Sequence, residues 1–361
     1  MKALTDITDP TSVRKPRNWA DHYLIRYLKD ERDLPFLHLT GKITFILIPL
    51  SVLLYLPFIS GWVWWAIAAA QFLINHIFFK GPFGLMLHCT SHRPLFNNPY
   101  KWLNHYLPWV ITPFFGQTPE TYFSHHIGMH HPENNQEEDD SSTMAYQRDS
   151  FRHFLRYFAD FLFTGLVGLT SYLNRKKRRK LARRALVGEL SYFALCLGLL
   201  FVNWQATVVV FILPFFISRF IMMLGNWTQH AFVDAKQPGN PYKNAITCIN
   251  IKYNHKCWND GYHIAHHERP SMHWTEYPTY FQETLPTYAQ NKSLIFEGIG
   301  YPTIFYRLMT RQYDKLASDV VNVNGVFRDQ QEVIALLRQR TQPILTTPKP
   351  SDLAVPAKLN Y

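Results

Sequence analysis

Four apolar runs, joined in pairs by turns of a few residues, decide what this chain can become. Ile43 to Ser60 is nearly unbroken apolar sequence, and Trp62 to Phe79 follows after the single break of Gly61. Leu186 to Val202 and Ala206 to Leu224 repeat the arrangement around Asn203-Trp204-Gln205. At helical rise, each run can cross a hydrocarbon core of about 30 Å. Turns this short make neighbouring runs antiparallel, which reads as an all-α integral membrane protein with four transmembrane helices in two hairpins. Trp62, Trp64 and Trp65 crowd the first turn, where an interfacial aromatic belt would lie. A mean hydropathy of only −0.16 shows that a large polar portion accompanies these spans.

Charge sets the orientation. The net charge is +11, and its densest part is the basic run 174–184, with a smaller group at Arg14 to Arg17. Basic loops mark the cytosolic side of a membrane, so these runs read as flanks to spans rather than as a nucleic-acid surface. Cys89, Cys196, Cys248 and Cys257 show no paired spacing, which suits reduced thiols facing the cytosol. Asp6, Asp9 and Asp21 and the absence of an early apolar run argue against a signal or transit peptide. Residues 1–42 read as a polar, interfacial lead-in, and residues 43–340 as one membrane domain. Segment 104–115 is apolar but broken by Pro108 and Pro113, and 151–173 reads as an amphipathic helix on the membrane surface. Glu189 and Arg219 fall inside spans and should face protein or a cavity. The Pro-, Thr- and Lys-rich tail 341–361 reads as disordered.

Ten of the 17 histidines fall in four clusters beside these spans. They are His88 and His92; His125, His126, His130 and His131; His230, preceded by Asn226; and His263, His266 and His267. An even number of crossings separates the first two clusters from the last two, so all four lie on one side. The basic runs share that side, which names it cytosolic. Spacings of three and four residues align imidazoles on a helix face, while an adjacent histidine projects toward a different partner. So many imidazoles exceed the ligand set of one metal, which for zinc is three or four. Two metals held almost entirely by histidine are expected. Zinc has no redox chemistry, so iron beside a hydrocarbon phase suggests oxygen activation. Glu120, Asp260 and Glu268 are candidate carboxylate partners for the ring N–H groups. A solitary histidine is usually an ordinary buried or surface residue. His22, His38, His76, His105, His153, His255 and His273 are read that way, with His255 and His273 the nearest to a supporting role.

With these motifs in hand, residues 40–285 resemble the membrane fatty acid desaturase family, whose three histidine boxes flank a transmembrane hairpin. The boxes here are His88/His92, His126/His130/His131 and His263/His266/His267, the last led by Asn259-Asp-Gly-Tyr262. Asn226 and His230 resemble an additional ligand element of acyl desaturases, in which the asparagine holds its metal through water. His125 is surplus to the pattern and a weaker candidate. The resemblance implies a non-haem di-iron centre in a helical cytosolic cap on a four-helix stalk. It also implies O2 as co-substrate and introduction of a C=C bond into an acyl chain.

No His-Pro-Gly-Gly haem motif occurs, so electrons are expected from a separate ferredoxin or cytochrome b5 with its reductase. The substrate could be an acyl-lipid, an acyl-CoA or an acyl-carrier protein. Expected sites are the bacterial inner membrane or, in a eukaryote, the endoplasmic reticulum, with both termini cytosolic. Removing one hydrogen leaves a carbon radical whose fate decides the product, so a di-iron hydroxylase, ketolase or alkene-forming decarboxylase is the alternative. A metal transporter is disfavoured, because transporters hold their ligands at mid-bilayer depth.

Overall fold

The computed structural model describes residues 1–344. Among them the chain is mostly helical, and the sheet is limited to β1 (Ile246–Ile249) and β2 (Leu294–Glu297), paired in parallel with Ile246 opposite Leu294. Among the described residues four helices are long and apolar enough to cross a membrane: Glu31–Leu53, Gly61–His92, Arg179–Val202 and Trp204–Gln229. The molecule is a helical membrane protein.

Helix ends do not follow the apolar runs. The first spanning helix stops at Leu53, and residues 54–60 make the turn. Pro57 explains this, since it lacks an N–H and disfavours helical geometry in the residue before it. The second helix passes through Lys80 and continues to His92, carrying His88 and His92 beyond the apolar span on one rod. Both hairpin turns sit at the same end of the bundle. Asn203 Nδ2 and Trp64 Nε1 both donate to the Leu54 carbonyl, at 3.2 and 2.9 Å. The histidine clusters gather at the other end.

Between the hairpins, segment 107–115 returns into the bundle and buries Ile111 and Phe115. Its free carbonyls are served by side chains of the second helix: Asn75 Nδ2 donates to Phe114 O at 2.7 Å, and Lys80 Nζ to Phe115 O at 3.0 Å. Irregular backbone at this depth needs such partners. Glu189 and Arg219 face each other inside the bundle at 2.8 Å, as their cost in lipid requires. The helix Phe151–Arg175 is amphipathic, burying Phe154, Tyr157 and Tyr172 while exposing Phe163 and Val167.

Both ends of the described chain grip the cap. Asp9 Oδ2 accepts from the Asn250 N–H at 2.8 Å and the Tyr262 hydroxyl at 2.7 Å, so the first residues pack on the third histidine box. At the other end, composition predicts disorder from Thr341, but Thr341 is fully buried. Arg148 is the reason. Its buried guanidinium needs acceptors, and it donates to the carbonyls of Ala231, Arg340 and Gln342 at 3.0, 2.9 and 2.6 Å. The remainder of that expectation, 345–361, lies outside the described residues.

One close approach sets the second histidine box against the third spanning helix. A Cβ on Gly188 would lie 1.7 Å from the Pro119 carbonyl oxygen, whereas one on Gly198 would meet nothing within 4 Å. Gly188→Ala should therefore cost about 1–3 kcal/mol in thermal unfolding through overpacking. Gly198→Ala should stabilise by about 0.5–1 kcal/mol through helix propensity. Equal effects of the two would contradict this packing.

Candidate metal centre

Backbone geometry decides which histidines meet. His88 and His92 stand four residues apart on regular α-helix and share a face. His126–His130 instead forms a π turn, so residues five apart face alike. His126 thus joins His131, and His130 turns the other way. In the short helix His263–Glu268, His263 and His267 share a face and His266 points elsewhere. His230 directly follows the fourth spanning helix.

Two groups result. His88, His92, His126, His131 and His266 each bring one ring nitrogen within 4.8 Å of the others, and His130, His230, His263 and His267 do the same. In the first group, Nε2 atoms lie 2.9 Å apart for His88–His266, His92–His126 and His131–His266, and 3.1 Å apart for His126–His131. In the second, His230–His263 and His263–His267 are both at 3.1 Å. A hydrogen bond explains such a contact only where one ring carries its proton at Nε2, and a ring protonated at Nδ1 has none to share there. Two metal–nitrogen bonds of about 2.1 Å meeting at right angles place their nitrogens about 3.0 Å apart. The spacing is that of ligands around a cation.

Three of the outward nitrogens are held by hydrogen bonds, whereas that of His263 is buried without a protein partner among the described residues. His130 Nδ1 meets Asp139 Oδ2 at 2.7 Å, His230 Nδ1 donates to the Asn244 carbonyl at 3.0 Å, and His266 Nδ1 meets the Tyr277 hydroxyl at 3.1 Å. His88 Nδ1 lies 3.6 Å from Asp260 Oδ1. Such partners keep the proton on Nδ1 and turn the Nε2 lone pair inward. Burial, followed by the neighbouring imidazoles, holds His126, His263, His266 and His267 well below the usual histidine range. Burial and then His130 bring His230 down to about 4. These rings are neutral at pH 7, the form a metal ligand requires. Burial pushes the Asp139 carboxyl up, but the imidazoles of His130 and His125 and the Ser141 hydroxyl outweigh it and leave it below its usual range.

Several sequence expectations change here. Glu120 is buried away from both groups, accepting from Trp109 Nε1 at 3.0 Å and from Arg184. Glu268 and His255 are exposed. His273 is buried but bonded to Asp33 and Thr275 rather than to a ring of either group. His125 stays outside both groups, with Nε2 4.0 Å from Asp139 Oδ1. Asn226 lies beside the groups. Its Nδ2 donates to Ser141 O at 2.8 Å and to the Tyr157 hydroxyl at 2.7 Å, which turns its oxygen the other way. Asp139, Asn244 and Tyr277 were not singled out by the sequence. Asp139 sits in the acidic run 137–140 just after the second box, but nothing in that run distinguishes it from its neighbours.

A cavity of ≈ 870 Å³ reaches His88, His126, His130, His263 and Asn226, and continues between the spanning helices past Phe79 and Met222. Lys42 and Lys256, both exposed, stand in its wall. Among known families, the model described as Fatty acid desaturase matches residues 62–298, which contain both histidine groups. No curated protein matches the chain.

Alanine at His266 should remove about one equivalent of bound metal from the purified protein, while alanine at His125 leaves the content unchanged; elemental analysis showing the reverse would contradict the grouping. The metal-free protein should also be acid-sensitive. Unfolded histidines take up protons below about pH 6.5, but folded His230 does so only near its depressed value of about 4. The unfolded state binds more protons across that window, so stability falls as pH drops from 6.5 to 4. A thermal unfolding midpoint that is flat or rises over that range would contradict the burial of neutral rings.

Proposed function

We propose, since the chain belongs to the fatty acid desaturase family, that it is an O2-dependent acyl desaturase with one iron in each histidine group. The observation that carries this reading is the cavity, which joins both histidine groups to the space between the spanning helices. An all-imidazole donor set suits iron as well as zinc, copper or nickel, and of these zinc offers no redox chemistry. The family is typically di-iron. Bound there, the pair would supply one-electron redox steps and a place for dioxygen.

The overall change is –CH2–CH2– + O2 + 2 e⁻ + 2 H⁺ → –CH=CH– + 2 H2O. Two electrons come from the substrate and two from an external carrier, a ferredoxin or a cytochrome b5. The protein's own residues hold the acyl chain along apolar walls, keep bulk water from it and set adjacent methylenes beside His88, His126, His130 and His263. Lys42 and Lys256 suit an anionic head group, as on coenzyme A, a carrier protein or a phospholipid. Asn226 would reach its metal through water. The basic run 174–184 supports a cytosolic position for the histidines and both termini. Metal transport is not supported, because the histidine groups lie at the ends of the spanning helices rather than midway along them.

Expression in a host that lacks the activity should add double bonds to its acyl chains, read by mass spectrometry with double-bond localisation. The His88→Ala variant should add none. Hydroxylated or keto lipids, or terminal alkenes, in place of new internal double bonds would overturn desaturation in favour of the related oxidation.

A further inference from the structure

Reduction of dioxygen to two waters consumes two protons, and an acyl chain filling the large cavity would keep solvent out by that way. A second space touches the first histidine group. It reaches His92 and His266, which the large cavity does not, and has a volume of ≈ 20 Å³. A single water needs about 10–15 Å³ on this measure, so the space fits one. Asp33, Arg93, Asp260 and His273 contribute to its walls. His273 is fixed there by Asp33 at 3.1 Å and Thr275 at 2.7 Å.

An independent feature calls for a ligand. Trp274, also in the wall and only 6% exposed, has a buried indole N–H with no acceptor among the described protein groups. A buried donor of this kind is normally satisfied, and water is the acceptor that fits the volume. The walls are largely apolar, but Asp33, Arg93, Asp260 and His273 among them give a water further partners that dioxygen could not use. Outward from this space lies a surface groove of ≈ 510 Å³ whose walls include Ser12, Arg32 and Glu276. Met272 is the side chain common to both among the described residues.

We propose that the space beside His92, His266 and Trp274 is a water site, gated by Met272, through which solvent protons reach the metal centre while an acyl chain fills the larger cavity. This rests on the desaturase reading and deepens it. The consumed protons are the two in the equation above, drawn from water, and the two product waters can leave by the same path.

The test is radiolytic footprinting in H2¹⁸O of the full-length, metal-loaded protein with oleate in the large cavity. Trp274 should take up ¹⁸O within milliseconds of mixing. Met272→Trp should slow that labelling several-fold and lower kcat without raising KM for the acyl substrate, and Met272→Leu should restore both. An unlabelled Trp274, labelling abolished by oleate, or equal labelling in Met272→Trp would each overturn the proposal. Metal content is read on the same samples. Protein that binds no metal ends the proposal together with the desaturase reading, whereas loaded protein with an unlabelled Trp274 ends the proposal alone.

Discussion

Nine imidazoles gathered in two groups, eight of them with a ring nitrogen about 3 Å from a neighbour's, form an arrangement that suits a bound cation. Lone pairs repel at that range, burial holds His126, His230, His263, His266 and His267 below the usual histidine range, and the outward nitrogens of His130, His230 and His266 face Asp139, Asn244 and Tyr277. Every larger feature serves this convergence. The second spanning helix runs on past the apolar span to deliver His88 and His92. The fourth ends beside Asn226 and His230, and a short cap helix supplies the last box.

Convergence on this scale needs support from distant parts of the chain. Asp9 holds Tyr262, the residue before the third box, and Arg148 ties residues 340–342 to Ala231, the residue after His230. Gly188 lets the third spanning helix lie against Pro119, just ahead of the second box. The ends of the described chain thus reach the same place as its middle. The large cavity then follows, because a centre built where the bundle meets the cap lies within reach of a chain lying among the helices.

The architecture was legible because apolar runs and histidine spacing are local signals. The two hairpins, the common side of the clusters and the separate facing of His266 and His267 all follow from periodicity. What periodicity misses is backbone that departs from it. The π turn at His126–His130 regroups the second box, pairing His126 with His131 where α-helical spacing would pair it with His130. Pro57 shortens the first spanning helix inside an apolar run that looks continuous. The partners of the outward nitrogens were beyond reach for another reason: Asn244 and Tyr277 lie 14 and 11 residues from the histidines they serve, beyond the neighbour spacing of a helix face, and Glu120, a candidate by proximity in sequence, is drawn by tertiary packing to Arg184.

The most direct test is X-ray absorption at the iron edge of protein purified from membranes with its metal retained. The account predicts two irons per chain, each surrounded by imidazole nitrogen at about 2.1 Å, with no sulfur scattering. A single iron, zinc in its place, or a thiolate contributed by Cys89 would contradict it.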